Sequence, residues 1–210
     1  MYIPAQDRVT DAAKINAFIQ ANGFAMLVSQ GDNGPWASHL PFVFDEAEGE
    51  GGLLRTHMAR ANEQWRHLAP NPGVLCVFLG PHSYISPSWY AAKVAVPTWN
   101  YTAVHVYGTA KVEGDAFLRK TIEDTTRKYE AKMPSPWLMP IPEEYIASMM
   151  KAIVGVSIQV TRVEAKFKLG TRRSEEDQLG VLAGLEQSGS LESLGLARFI
   201  RGQGGIGSVT

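Results

Sequence analysis

Cysteine is almost absent: Cys76 is the only one in 210 residues. That excludes an internal disulfide and any site built from several thiolates of one chain, and a reducing compartment suits it. Charge of one sign is missing too, since 20 Lys and Arg stand against 21 Asp and Glu for a formal net charge of −1. No global field draws such a chain onto a nucleic-acid backbone or an anionic membrane, so any such contact needs a local patch. No apolar run has the length that spanning a bilayer requires, and the opening Met1-Tyr2-Ile3-Pro4-Ala5-Gln6-Asp7 lacks a basic start with an apolar stretch behind it. A cytoplasmic protein is expected.

Several catalytic signatures are also missing. There is no Gly-x-Ser-x-Gly elbow, no Walker A string and no Gly-x-Gly-x-x-Gly; the glycine-rich run at 202–207 lacks both the strand and the helix that the last would need. His39, His57, His82 and His105 show neither i, i+4 pairing nor another metal-ligand spacing, so no metal is expected. Cys76 stands inside the apolar string Val-Leu-Cys-Val-Phe, where a buried, inert thiol is the natural reading.

What is present is a 45% apolar chain able to bury a core as one globular unit. Ala12, Ile15, Phe18 and Ile19 recur at helical spacing after Thr10 and stop at Asn22-Gly23. Residues 24–29 and 36–44 read as a hairpin about Gly31-Asp32-Asn33-Gly34, and 53–57 as a short strand. A helix is expected over 62–68, strands over 74–79 and 82–86 on either side of Gly80-Pro81, and a long strand over 102–112 with Val104, Val106, Gly108 and Ala110 on one face. Helical spacing returns from 115 to 132, with Leu118, Ile122, Thr125 and Tyr129. It returns again after Pro142, with Tyr145, Ile146, Met149, Met150 and Ile153 inward. A strand over 155–163 follows, then a capping box from Ser174 to Asp177 leading Leu179, Leu182 and Leu185, and a last helix over 191–200. Strands and helices do not alternate as parallel sheets require. The fold class is therefore mainly β with peripheral helices (α+β), an antiparallel barrel or sandwich.

The densest chemistry lies in His57-Met58-Ala59-Arg60-Ala61-Asn62, where a strand gives way to a helix. Helix amides and the forked donors of Arg60 match phosphate oxygens, although a capped helix with a solvated arginine fits the same string. Ser86-Pro87-Ser88-Trp89-Tyr90 and Val96-Pro97-Thr98-Trp99-Asn100-Tyr101 offer aromatic planes with hydrogen-bonding tips, suited to a flat conjugated ring or to packing. In Ser38-His39-Leu40-Pro41 the proline marks an edge or a break where backbone groups are free for a ligand. The basic cluster Lys166, Lys168, Arg172 and Arg173 precedes Glu175-Glu176-Asp177 and reads as a locally neutralised surface, with contact to phosphate or DNA as the alternative.

Together these strings resemble the PaiB family, described as FMN-binding negative transcriptional regulators and similar to the pyridoxamine-phosphate-oxidase-like split barrels. The resemblance rests on Met1-Tyr2-Ile3-Pro4, Ser38-His39-Leu40-Pro41, 57–62 with Gln64-Trp65, 80–90, 96–101, Val104-His105, Ile153-Val154-Gly155 and Lys166-Phe167-Lys168-Leu169. It implies an antiparallel six-stranded split β-barrel of the FMN-binding type over 1–170, with a helical insertion at 115–153, a helical extension at 171–201 and a flexible tail at 202–210. It also implies a homodimer with noncovalent FMN at the subunit interface. By position, Ser38, His39, Leu40 and Pro41 would run along the isoalloxazine, His57, Met58, Ala59, Arg60 and Asn62 would meet the ribityl phosphate, and Ser86, Trp89, Tyr90, Trp99 and Asn100 would close the site. The wider family's oxidases place a lysine beside the phosphate-binding arginine; Ala61 stands there in this sequence, with Lys93 or Lys168 as candidate substitutes.

A flavin-dependent regulator is the function this resemblance implies. A flavin-dependent oxidoreductase or flavin reductase acting on a small molecule is the alternative, and a haem-binding relative a lower one. The sequence singles out no catalytic residue, and no DNA-reading element of a recognised type is present.

Overall fold

The computed structural model describes residues 1–138 and 140–204. The elements run β1 (Arg8–Val9), α1 (Ala12–Ala21), β2 (Phe24–Gly31), β3 (Gly34–Pro41), β4 (Val43–Asp45), β5 (Leu53–Ala59), α2 (Gln64–His67) and β6 (Gly73–Ile85). They continue with β7 (Thr98–Glu113), α3 (Asp115–Glu130), α4 (Glu143–Met150), β8 (Ile153–Lys168), α5 (Glu175–Ser188) and α6 (Leu191–Gly202). The sheet is mainly antiparallel, ordered β3-β2-β6-β7-β8-β5-β4, with β1 added to β8. The expected class, mainly β with peripheral helices, is the observed one, but the sheet has eight strands rather than six and its order does not close into a ring. Among the described residues no helix is long and apolar enough to cross a membrane. Most of the expected tail, 205–210, lies outside the described residues.

The chain divides into two compact units, neither a continuous segment. The first comprises Met1–Asp11, Leu79–Val104 and Glu164–Thr210; the second comprises Ala12–Phe78 and His105–Val163.

In the second unit β2 alternates buried and outward residues and pairs with β3 in register from Phe24↔Pro41 to Gly31↔Gly34. The sheet order begins with β3, and half of that strand's residues are exposed. An edge is where Pro35 and Pro41, with no N–H to give, cost no ladder bond. The strand expected over 36–44 breaks after Pro41. Phe42, 1% exposed, donates its amide to Gly23 O at 2.7 Å, and the chain re-forms as β4 beside β5. The Thr56 hydroxyl donates to Pro41 O at 2.7 Å, so a side chain, not a ladder, ties the end of the edge strand to β5.

Alternation along β5 sorts its residues. Leu54, Thr56 and Met58 are almost wholly buried. On the opposite face Arg55 reaches Asp124 of α3, and Gly155, the register partner of His57, lies beneath Leu118 of the same helix. The face expected on the long strand is present, since Val104, Val106, Gly108 and Ala110 are all buried. The helix after Pro142 does not turn all its expected residues inward. In α4 Ile146 is buried, whereas Tyr145 and Met149 are about half exposed, and Ile153 already belongs to β8. A helix of eight residues on the surface covers its neighbour with one narrow stripe only.

In the first unit Gly80-Pro81 makes no turn: β6 runs through it for 13 residues. The φ that proline imposes is compatible with an extended chain, and Pro81 O accepts the Thr102 hydroxyl at 3.0 Å. The Ser174 hydroxyl accepts the Asp177 amide at 3.2 Å, the N-terminal cap that the sequence announced. Between α5 and α6, Leu182, Leu185 and Leu196 pack with Ile85 into a closed apolar cluster, while Leu179 stays outside it. Lys166, expected on a basic surface, is 5% exposed. Its ammonium lies 5.0 Å from the centre of the Tyr101 ring and 5.6 Å from that of Tyr2, cation–π contacts that offset part of its desolvation.

Candidate functional site

The strand-to-helix corner of the second unit is built around Arg60. Its backbone amide donates to Ala152 O at 2.8 Å, its Nε to Lys151 O at 2.8 Å and its Nη2 to Ile153 O at 2.9 Å. Lys151 is the C-cap of α4, Ala152 follows it and Ile153 opens β8, so the guanidinium and amide of Arg60 together tie the end of β5 to the turn between α4 and β8. Arg60 O in turn accepts the Trp65 indole N–H at 2.9 Å. Arg60 is exposed, and among the described residues nothing engages its Nη1.

The helix that follows is shorter than expected. Instead of 62–68, α2 has four residues, and Asn62 prepares it by accepting the Gln64 amide on Oδ1 at 3.1 Å and donating Nδ2 to Ser38 Oγ at 2.8 Å. The Asn62 amide itself goes to Ala59 O at 2.9 Å. Two of the corner's amides, those of Asn62 and Gln64, are thus already used, and the outer edge of one fixed guanidinium is open to an anion. Gln64, fully buried, shares its amide hydrogens among Leu27 O, Ser29 Oγ and Trp36 O, which locks the corner onto the β2–β3 hairpin.

Along the hairpin His39 is exposed and stacks with Phe24 at 6.3 Å between ring centres, while Leu40 is buried. His57 is half-buried, and burial lowers its pKa, which favours the neutral imidazole. Its Nδ1 is buried without a partner. Beside it Arg55, 4% exposed, pairs with Asp124 at 2.7 Å. Burial would raise the Asp124 carboxyl, but the Lys120 ammonium and the Arg55 guanidinium outweigh it and hold the pKa below the ordinary range. Cys76 is fully buried, and desolvation pushes its pKa far up, as the inert reading requires.

The aromatic strings lie in the first unit. Trp89 is spent on packing: a Cβ added at Gly184 of α5 would fall 2.2 Å from its indole, and one at Gly180 would fall 2.0 Å from its carbonyl oxygen. Ser86 caps the short 3-10 turn Pro87–Trp89 by accepting the Ser88 amide at 3.2 Å. Trp99 is 55% exposed, with His82 and Tyr84 beside it. Tyr90 and Asn100 instead line a cleft of about 330 Å³ together with Thr98, Lys168, Arg172 and Arg173. The Arg173 guanidinium lies 4.2 Å from the Tyr90 ring centre, and Lys168 donates to Thr98 Oγ1 at 2.6 Å.

Residues 1–162 match the family described as "Putative FMN-binding domain". Over 187 residues, 89% of each chain, the sequence is 37% identical to "Protease synthase and sporulation protein PAI 2" of Bacillus subtilis. The chain belongs to the PaiB family. It is also 30% identical to an uncharacterised protein of Aspergillus fumigatus, covering 97% of this chain and 98% of that one. Among solved structures, the fold is shared with the FAD and haem binding protein of Mycobacterium smegmatis, at a TM-score of 0.58 and 15% identity over 88% of this chain and 80% of that one. The flavocytochrome Anf3 of Azotobacter vinelandii shares it too, at 0.56 and 16% over 83% and 75%.

Within the PaiB frame, the second unit holds Ser38, His39, Leu40, Pro41, His57, Met58, Ala59, Arg60 and Asn62, and it brings Ser38 and Asn62 into direct contact. The first unit holds Ser86, Trp89, Tyr90, Trp99 and Asn100, of which Tyr90 and Asn100 share one cleft. Met58, 2% exposed, is a core residue. Of the two candidate substitute cations, Lys93 is exposed and Lys168 lines that cleft. Sequence reasoning passed over the Arg55–Asp124 pair. Its signal was a charge set among the apolar and small residues of a short strand.

Proposed function

We propose that the protein binds FMN noncovalently in a homodimer and acts as a flavin-dependent regulator. The observation that carries this reading is the family match, which spans the strings at 38–41, 57–62, 86–90 and 96–101. The residues suit the group in two respects. Arg60 is held by backbone carbonyls with Nη1 left outward, a pre-oriented donor for a phosphate oxygen. The unpartnered His57 Nδ1 is a polar atom that a bound group would satisfy. Ser38, His39, Leu40 and Pro41 would border the flavin ring, Asn62 would fix the approach through Ser38, and Ser86, Trp89, Tyr90, Trp99 and Asn100 would complete the site. When bound, the flavin supplies the electron chemistry; the chain binds and orients it.

Dimerisation is supported by an apolar surface in the first unit, where Leu79, Tyr84, Val94, Val96 and Trp99 are exposed by 53%, 44%, 91%, 68% and 55%. Regulation without direct DNA contact is supported by the fate of the basic cluster. Lys166 is buried, Lys168 is bonded to Thr98 and Arg173 is shared between Tyr90 and Asp177, so within this cluster, among the described residues, Arg172 alone is left free, too little to track a run of phosphates.

Sedimentation of the purified protein with FMN tests the proposal. A flavin-coloured dimer, not reduced by NADH or NADPH, is expected. A coloured protein that oxidises either cofactor catalytically would replace the regulator with an oxidoreductase, and a monomer that takes up no flavin would end both readings.

A further inference from the structure

In the second unit α3, α4 and the segment that joins them enclose a cleft of about 600 Å³, the size of a site for a small organic molecule. None of the residues assigned to the flavin lines it. Trp137, Leu138, Ile141 and Ile146 give it an apolar wall. Trp137 is 45% exposed, so its indole is partly open rather than spent in a core.

The charged lining decides which ligand suits that wall. Arg119 is already saturated: its Nε donates to Glu123 at 2.5 Å, and its Nη1 and Nη2 reach the two oxygens of Glu143 at 2.5 and 2.9 Å, a fork that ties α3 to α4. Arg127, exposed, reaches Asp124 at 2.9 Å rather than Glu130. Glu130 is the exception among the lining carboxylates. One of its oxygens accepts the Trp137 amide at 2.7 Å, and among the described residues no cation pairs with it. An anion would find the Arg119 fork occupied and the Glu130 charge against it. A cation would find an open carboxylate oxygen and an aromatic ring in one concavity, both of them attractive to it.

We propose that the α3–α4 cleft is a binding site for a small organic ammonium ion with an apolar body. The ammonium donates to the open oxygen of Glu130 and lies against the Trp137 ring, while the body covers Ile141 and Ile146. Because the Trp137 amide already holds the carboxylate, little ordering is left to be done when the ligand arrives. The site is separate from the Arg60 corner and does not depend on flavin occupying that corner.

Calorimetric titration of the full chain with phenethylammonium tests the assignment, with neutral phenethyl alcohol, anionic phenylacetate and methylammonium as comparators. Saturable binding of one phenethylammonium per chain is expected, about tenfold tighter than each comparator. Glu130→Gln keeps an oxygen for the Trp137 amide, so it should leave the urea midpoint in place while weakening binding about tenfold. Trp137→Leu weakens it about fivefold, and Arg60→Ala leaves it unchanged. Absence of saturable binding, or the alcohol or phenylacetate binding as tightly, would overturn the proposal, and so would unaltered binding in a folded Glu130→Gln. Should that variant lose stability, unaltered binding in Trp137→Leu would overturn it instead. Methylammonium as tight as phenethylammonium would remove the apolar body from the assignment. Displacement of phenethylammonium by FMN would overturn the separate site and give the cleft to the flavin. Phenethylammonium binding by a protein that takes up no FMN would sustain this inference while the flavin reading fell.

Discussion

The Arg60 corner and the Asn100 cleft carry the same kinds of residue and treat them in opposite ways. In the corner, the Arg60 guanidinium answers Lys151 O and Ile153 O, its backbone amide answers Ala152 O between them, and a single guanidinium nitrogen is kept for anything else. In the cleft, Arg172 and the Asn100 side chain make no hydrogen bond or ion pair among the described residues, and Lys168 meets only a hydroxyl. The cause is local. The chain between α4 and β8 turns its carbonyls to the Arg60 guanidinium, whereas after β8 the carbonyls of Gly170, Thr171 and Arg173 are taken by the Arg173 amide and the Gln178 side chain. A binding string is thus best judged by which of its polar atoms the fold has already used.

The comparison can be broken most forcefully at the buried charges. Asp124→Asn in the second unit leaves the Arg55 guanidinium buried with its partner's charge removed, and a stability loss of about 3–5 kcal/mol is expected in urea unfolding. A loss near zero would mean that water reaches the pair. In the first unit the matching stress is steric. Gly184→Val drives a side chain into the Trp89 indole, and overpacking should cost about 1–3 kcal/mol by the same measurement. Arg60→Ala should remove about 1 kcal/mol through the lost helix-end contacts, and its larger consequence should be weaker FMN uptake, read by flavin fluorescence.

The smallest effect is the pH response of His57. Burial lowers its folded-state pKa beneath the ordinary 6.5, so the unfolded chain takes up the proton first. Its contribution is complete above that value and is lost as pH falls through it. A shallow decline in urea midpoint below about pH 6.5 is expected, and it should flatten in His57→Gln. An unchanged slope would place the titration elsewhere.

Much of this fold was legible because it rests on periodicity and capping. The β2–β3 hairpin, the inward face of β7 and the Ser174 cap all follow from spacing and residue type. Gly80-Pro81 misled because a turn-forming pair is still compatible with an extended chain, and neighbouring strands supplied the pairing. Tyr145 and Met149 misled because helical spacing shows which residues share a face, not whether anything covers it. Of the candidate site, the residue types at 57–62 and 96–101 were legible. The role of Arg60 at the end of α4 was not, since its partners lie some 90 residues away in sequence. Nor was the divergence of Lys166 and Arg172, six residues apart, one buried against tyrosines and the other free in a cleft.

The most direct test is gel filtration after incubation with FMN, with absorbance recorded on the protein peak of the unaltered chain and of Arg60→Ala. The account predicts a flavin spectrum that travels with the unaltered protein, one FMN per chain, and is lost from the variant. Colourless protein in both runs, or flavin retained equally by Arg60→Ala, would contradict it.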